Sequence, residues 1–142
     1  MNKFDNLIVT LGEILDTNLR AEKGVLCKLK IDGKLSINLE YDEVKDLILM
    51  GTLIVELPAG RFRENILKEA LRMNSIYPRI GTFAYSERAN KLALFQYIPF
   101  TSLSADKFNI QLHEFIDFSY QWFKAIDSGN LLSISLPPSG SL

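Results

Sequence analysis

The chain has 142 residues, 47% of them apolar, and a formal net charge of −1 at pH 7. This length suits one ordinary domain that folds without a disulfide or a structural metal. The balanced charge, the short apolar runs, the absence of a signal peptide and the single cysteine, Cys27, exclude three classes: nucleic-acid-binding, membrane-inserted and disulfide-stapled proteins. We therefore expect a soluble cytoplasmic protein.

The N-terminal segment has the spacing of an amphipathic helix, with apolar residues on one face at Phe4, Leu7, Ile8, Leu11 and Leu15. From Val25 the apolar period changes to two, first as far as Ile31 and then again from Leu35 to Tyr41. Between these segments, Asp32-Gly33 supplies the residues of a type I′ hairpin turn, since both tolerate positive φ. A helix followed by an antiparallel hairpin is predicted.

The rest of the chain alternates between strand and helix patterns. Residues 48–57 form an apolar run typical of a central strand, and helical spacing returns between Phe62 and Met73. Two further strands, 81–85 and 91–98, flank a polar turn. Ser104 is a good N-cap for a last helix, whose core face carries Phe108, Leu112, Phe115, Ile116, Trp122, Phe123 and Ile126.

This pattern predicts an α+β fold with an antiparallel sheet of about five strands and three helices, in the order α-β-β-β-α-β-β-α. We expect a single domain over residues 1–127. Residues 128–142 are rich in serine, glycine and proline, and we expect them to form a flexible C-terminal tail.

Residues that carry chemistry are scarce. His113 is the only histidine, and we interpret it as a partly exposed, structural residue of the last helix. Cys27 alternates with apolar residues, which favours a buried, inert thiol. The glycines form no phosphate-binding motif, and no pair of carboxylates falls across a shared cleft. We predict no catalytic residue, no metal site and no cofactor, and hence a protein that is not an enzyme.

Several short signatures occur in a characteristic order. Leu11-Gly12 lies in the first helix, a hairpin follows over residues 24–33, and Leu57-Pro58 ends the third strand. Residues 81–100 begin with a glycine, pass through a polar turn and end in Ile98-Pro99-Phe100, and the last helix adds Leu112, Phe115 and Trp122. With these signatures the chain resembles the class I type III secretion chaperones, the bacterial effector chaperones of the Tir-chaperone (CesT) type, over about residues 4–126.

The resemblance implies a homodimer in the bacterial cytoplasm that serves virulence. Such a chaperone binds the N-terminal, non-globular segment of a secreted effector and keeps it soluble and competent for secretion. The ATPase of the secretion apparatus is a further candidate partner, whereas neither nucleic acid nor membrane insertion is implied.

The resemblance also suggests where the partners bind. Client contact is expected from apolar residues of the first helix and the first hairpin: Leu7, Leu11, Leu15, Leu29, Leu35 and Ile37. The dimer contact is expected from the second helix and the strand after it: Leu67, Leu71, Gly81, Thr82 and Phe83. A charged substitution at Phe83 would then give a monomer. For each of these residues, an ordinary place in the core of one protomer is the alternative.

Two other functions fit a chain of this length. One is a hotdog-type acyl-thioesterase or acyl-binding domain, although that fold wraps its sheet around one early helix, and no carboxylate is placed beside an acyl group. The other is a dimeric scaffold of the same fold without a role in secretion.

Overall fold

The computed structural model describes residues 2–131. In chain order its elements are α1 (Lys3–Ile14), β1 (Leu26–Ile31), β2 (Leu35–Asp42), β3 (Leu47–Glu56), α2 (Arg61–Met73), β4 (Thr82–Ser86), β5 (Lys91–Pro99) and α3 (Ala105–Asp127). This order confirms the predicted α+β fold. The predicted tail lies outside the described residues from residue 132 onward, and the domain boundary at residue 127 stays a prediction.

The strands form one antiparallel sheet in the spatial order β1-β2-β3-β5-β4, so β1 and β4 are its edges. The β1–β2 turn has positive φ at Asp32 (51°) and Gly33 (68°), as predicted. However, Ile31 lies opposite Leu35, so the loop has three residues, 32–34. This register pairs apolar with apolar side chains on one face, whereas a two-residue loop would place Lys30 opposite Leu35 and Lys28 opposite Ile37.

The core lies between one face of the sheet and the helices α1 and α3. Phe4 of α1 and Phe108 and Trp122 of α3 are fully buried there. Side chains of the strands alternate, so every second residue of β2, such as Ile37, adds to this core. The helix α2 packs beside the edge strand β4 and buries Ile66. Within residues 2–131, no helix is long and apolar enough to cross a membrane.

A polar contact fastens the start of α1 to the β2–β3 turn. The Lys3 ammonium lies 2.6 Å from Asp46 Oδ1, and the Tyr41 hydroxyl donates to the same oxygen at 2.9 Å. Hydrogen bonds from Lys3 and from Tyr41 hold the pKa of Asp46 below its usual value. The hydrogen bond to Asp46 likewise raises the pKa of Lys3. All three groups are solvent-accessible, so the contact contributes modestly to stability.

This contact predicts a specific pH dependence of stability. Because the pKa of Asp46 is depressed in the folded state, its contribution is present above the unfolded carboxyl pKa of about 4 and is lost as pH falls through the folded value. We therefore expect Asp46→Asn to lower Tm slightly at pH 6–7, and the difference from wild type to shrink below about pH 4. Thermal melts of both proteins across this range check it, and a Tm difference that grows toward acid pH would contradict it.

Candidate functional site

The edge strand β1 presents open backbone groups. Tyr41 N donates to Val25 O at 2.8 Å. Every second residue from Val25 to Ile31 therefore points its backbone N–H and C=O groups toward β2. The residues between them point their backbone N–H and C=O groups away from the sheet; these are Leu26, Lys28 and Lys30. Glu22 of the α1–β1 connection bridges to Leu26 and closes that position. Within residues 2–131, no backbone hydrogen bond of this kind reaches Lys28 or Lys30, so two N–H and two C=O groups remain available.

The side chains along this edge give it a positive charge. Lys28 and Lys30 are exposed and point to the sheet face opposite the core, while Cys27 and Leu29 between them are buried. Lysines on alternate positions are typical of an edge strand, because they discourage unspecific pairing with other strands. This alternation was the signal in the sequence that could have identified β1 as an edge, and our sequence analysis missed it.

Most of the apolar residues expected to contact a client lie in the core of the protomer. Leu15, at the end of α1, is half-buried, and the others are buried: Leu7, Leu11, Leu29, Leu35 and Ile37. The five buried residues belong to the core cluster of the protomer, and Leu15 packs against it. Two other apolar side chains of this part of the chain, Ile14 and Val25, are exposed. They lie at the two ends of the α1–β1 connection. A client role for the expected residues stays a prediction.

The other edge of the sheet, β4, is largely closed by a side chain. Asn74 follows α2, and its amide group makes two hydrogen bonds to Phe83, accepting from the backbone N–H at 2.8 Å and donating to the C=O at 3.0 Å. The Arg79 guanidinium donates to Asn74 O at 2.9 Å and to Thr82 Oγ1 at 3.2 Å. The side chain of Asn74 thus replaces a neighbouring strand at the centre of β4.

An exposed leucine lies beside this closed edge. Leu71 is 70% exposed, and it precedes Asn74 by three residues, so both side chains lie on the same side of α2. Of the other residues expected at a dimer contact, Leu67 and Thr82 are half-buried, and Gly81 and Phe83 are buried. The ring of Phe83 packs 4.4 Å from that of Trp122, centroid to centroid. A charge at Phe83 would therefore disrupt the core itself, which makes Leu71 the better position to test a dimer.

The chemically reactive residues are not arranged for catalysis. Burial raises the pKa of the Cys27 thiol, and the Glu22 carboxylate raises it further, so the thiol is a poor nucleophile. His113 is exposed on α3, where its Nδ1 lies 3.0 Å from Asn109 O in the preceding turn. Among the described residues, no three His, Cys, Asp or Glu side chains are grouped to hold a metal ion.

Comparison with known proteins gives a family and a fold. Residues 6–122 match the model of the Tir chaperone protein (CesT) family. No curated protein matches the chain. A chain of the ExsC–ExsE complex superposes with a TM-score of 0.69 at 18% identity, with 87% of this chain and 93% of that chain covered.

Two further solved structures are similar. A chain of the HopA1–SchA chaperone–effector complex has a TM-score of 0.68 at 18% identity and covers 86% of this chain and 94% of its own length. A chain from the structure of the Yersinia pestis type III secretion chaperone SycH with a stable fragment of YscM2 has a TM-score of 0.66 at 15% identity, with coverages of 83% and 98%. These likenesses show a shared fold over nearly the whole of each chain.

Proposed function

The chain belongs to the Tir chaperone protein (CesT) family, and from this premise we propose that it is a type III secretion chaperone for an effector. In this proposal a homodimer in the bacterial cytoplasm holds the N-terminal, non-globular segment of a secreted effector and keeps it soluble. The observation that carries the proposal is the family match over residues 6–122. The complexes formed by the structural relatives, such as HopA1–SchA, support it.

The open edge of β1 supplies a physical means of holding an unfolded segment. An extended peptide can add a strand there by bonding to the outward N–H and C=O groups of Lys28 and Lys30. Those bonds do not depend on the peptide's sequence, so specificity comes from its alternate side chains. On one face they meet Lys28 and Lys30, which favours acidic or polar residues of the client.

Apolar contacts must offset the entropy that the client loses when it becomes ordered. The exposed side chains of Ile14 and Val25 provide such contacts on either side of the α1–β1 connection. The buried residues expected from the resemblance, Leu7, Leu11, Leu29, Leu35 and Ile37, with the half-buried Leu15, are proposed to form the layer on which the client segment rests.

The proposed dimer joins the surfaces around α2 and β4. Its centre is Leu71, with Leu67 and Thr82 beside it, and the buried Gly81 and Phe83 shape the surface from beneath.

A chaperone of this kind needs no catalytic group, so we expect no enzymatic activity. The order of elements speaks against the acyl-thioesterase alternative, because that fold wraps its sheet around one early helix, whereas here α1, α2 and α3 precede, divide and follow the strands. Contact with the secretion ATPase remains part of the proposal.

A variant that blocks the β1 edge tests how the client is held. Proline at position 28 removes the N–H that points away from β2 and keeps the β1–β2 hydrogen bonds, since Lys28 contributes none of them. With the tagged protein as bait in its native cells, we expect Lys28→Pro to recover much less of a secreted protein than wild type does. Lys28→Ala is the matched control, because it removes the same side chain and keeps the N–H. Equal recovery by wild type and Lys28→Pro would remove the β1 edge from the mechanism.

A further inference from the structure

The open part of the β1 edge is short and has a defined end. Lys28 and Lys30 each offer one outward N–H and one outward C=O group. At Leu26 the same groups are closed, because Leu26 N donates to Glu22 O at 3.2 Å and Leu26 O accepts from Glu22 N at 2.6 Å. A strand added antiparallel to β1 therefore meets two residues that can bond to it and then one that cannot.

A groove of about 310 Å³ lies between the end of β1 and α3. Ile31 is part of one wall, and residues between 116 and 124 of α3 form the other. Its apolar part is provided by the half-buried side chains of Ile116 and Tyr120. Ile31 is in phase with the buried Leu29, so the groove borders the edge strand on the core face of the sheet. Apolar side chains on that face of an added strand can enter it.

The chain leaves α3 beside this groove. Lys124 lines it, and α3 ends one turn later at Asp127. The chain then turns back, because Asn130 N donates to Ala125 O at 2.9 Å. Leu131 follows directly and packs against the core. The residues after it therefore start at the end of α3 that borders β1.

Residues 132–136, which we call the tail segment, have the sequence pattern of a short strand. Three apolar residues alternate with two serines, and two prolines end the pattern: Leu132, Ser133, Ile134, Ser135, Leu136, Pro137 and Pro138. The segment carries no charge, so the lysines of β1 neither attract nor repel it. Composition predicts a flexible tail over residues 128–142, but the alternation is specific to the tail segment and indicates a strand.

We propose that the tail segment adds to β1 as a sixth strand and covers the open edge of the sheet. The strand β1 runs toward the groove, whereas the tail segment runs away from it, so the two pair antiparallel. Ser133 lies opposite Lys30 and Ser135 lies opposite Lys28, and each pair exchanges two backbone hydrogen bonds. The two serines of the segment thus match the two open positions of β1.

This register suits the prolines and both faces of the sheet. Pro137, which has no N–H to donate, lies opposite Leu26, whose backbone groups are already closed. The serines share the outer face with the lysines of β1. The apolar residues of the segment share the core face, where Leu132 reaches the groove beside Ile31. A shift by one residue would place the apolar side chains on the lysine face.

The attachment to α3 favours the tail segment over a free strand. A short tether gives an effective concentration on the order of millimolar, and no partner has to be supplied. The tail segment occupies the N–H and C=O groups that the proposed function assigns to the client, so a client must displace it. The docked segment goes beyond the proposed function and requires no client, and only its displacement rests on that function.

Amide hydrogen exchange of the full chain, measured by NMR without any client, tests the docked strand. Lys28 N and Lys30 N donate to serine C=O groups in the proposed pairing, so both amides should be protected. Replacing both serines by proline, as Ser133→Pro with Ser135→Pro, removes the donors of the other two bonds. We expect exchange at Lys28 and Lys30 to become about tenfold faster or more. The amide of Leu29, which faces β2, should keep its rate.

The matched control replaces the same two residues by alanine. Ser133→Ala with Ser135→Ala removes both hydroxyls and keeps both N–H groups, so Lys28 and Lys30 should stay protected. Equal exchange of these amides in wild type and the proline variant would overturn the proposal. Protection that is lost on dilution would also overturn it, since the added strand would then come from a second copy. A secreted protein captured by wild type despite unprotected β1 amides would keep the proposed function, so the two proposals fail separately.

Discussion

Replacing Leu71 by aspartate is expected to dissociate the proposed dimer into a monomer that keeps its fold. Leu71 is 70% exposed in the protomer, so a charge there meets solvent and costs the isolated fold little. In the proposed dimer the same charge is buried without a partner, at a cost of about 3 kcal/mol or more. This weakens association by more than about a hundredfold. Sedimentation equilibrium at micromolar concentration measures the change.

A second exposed apolar residue provides the control for Leu71→Asp. Ile110 of α3 is 61% exposed and lies outside the surface around α2 and β4, so Ile110→Asp should remain a dimer. Far-UV circular dichroism of both variants should match wild type. The Tm of Ile110→Asp should also match, whereas Leu71→Asp should show the lower, concentration-independent Tm of a folded monomer. If Leu71→Asp keeps the dimer mass, α2 is not the dimer contact. If it becomes monomeric only because it unfolds, the proposed interface gains no support.

Replacing Gly12 by alanine is expected to destabilise the fold by about 1–3 kcal/mol, as overpacking does. A Cβ at this position would lie 2.7 Å from Thr17 O and 3.1 Å from Leu19 N. Both are backbone atoms, and Thr17 N also donates to Gly12 O at 2.9 Å, which fastens the loop to the helix. The loop must therefore move away from α1. Urea denaturation of both proteins gives the difference in unfolding free energy.

Helix propensity makes the opposite prediction for Gly12→Ala, so the sign of the effect decides between the two. Alanine is favoured over glycine in a helix interior by about 1 kcal/mol. Thr10→Ala in the same helix is the control, because Thr10 is exposed and alanine there should be neutral or slightly stabilising. A stabilised Gly12→Ala protein would show that the loop yields easily and that the close approach does not constrain the residue.

The fold could be predicted from the sequence because the apolar periods and the turn residues indicate the same elements. The alternation along β1 and β2, and the helical spacing from Phe108 to Ile126, match the observed elements. The expected turn residues Asp32 and Gly33 have the required positive φ. The loop is one residue longer than a type I′ hairpin needs. The third loop residue allows the apolar side chains of β1 and β2 to pair on one face, and this pairing outweighs the preference of Asp32-Gly33 for a two-residue turn.

The candidate site could be predicted less well, because the open edges of the sheet depend on the order of the strands and not on the local pattern of residues. Nothing local to residues 91–98 predicts that β5 lies between β3 and β4, or that its last residues extend beyond β4. For the same reason, apolar residues such as Leu29 could not be assigned to the core or to a binding surface before the sheet was assembled. The amide of Asn74 closes β4 through contacts nine residues away along the chain.

In the function proposed above, this protein holds the unfolded N-terminal segment of a secreted protein. The most direct test uses the tagged full chain as bait in its native cells while the secretion system is expressed, and bound proteins are identified by mass spectrometry. We expect recovery of one or a few secreted proteins, and loss of each when its N-terminal segment is deleted. Recovery of no secreted protein, or undiminished binding after that deletion, would contradict it.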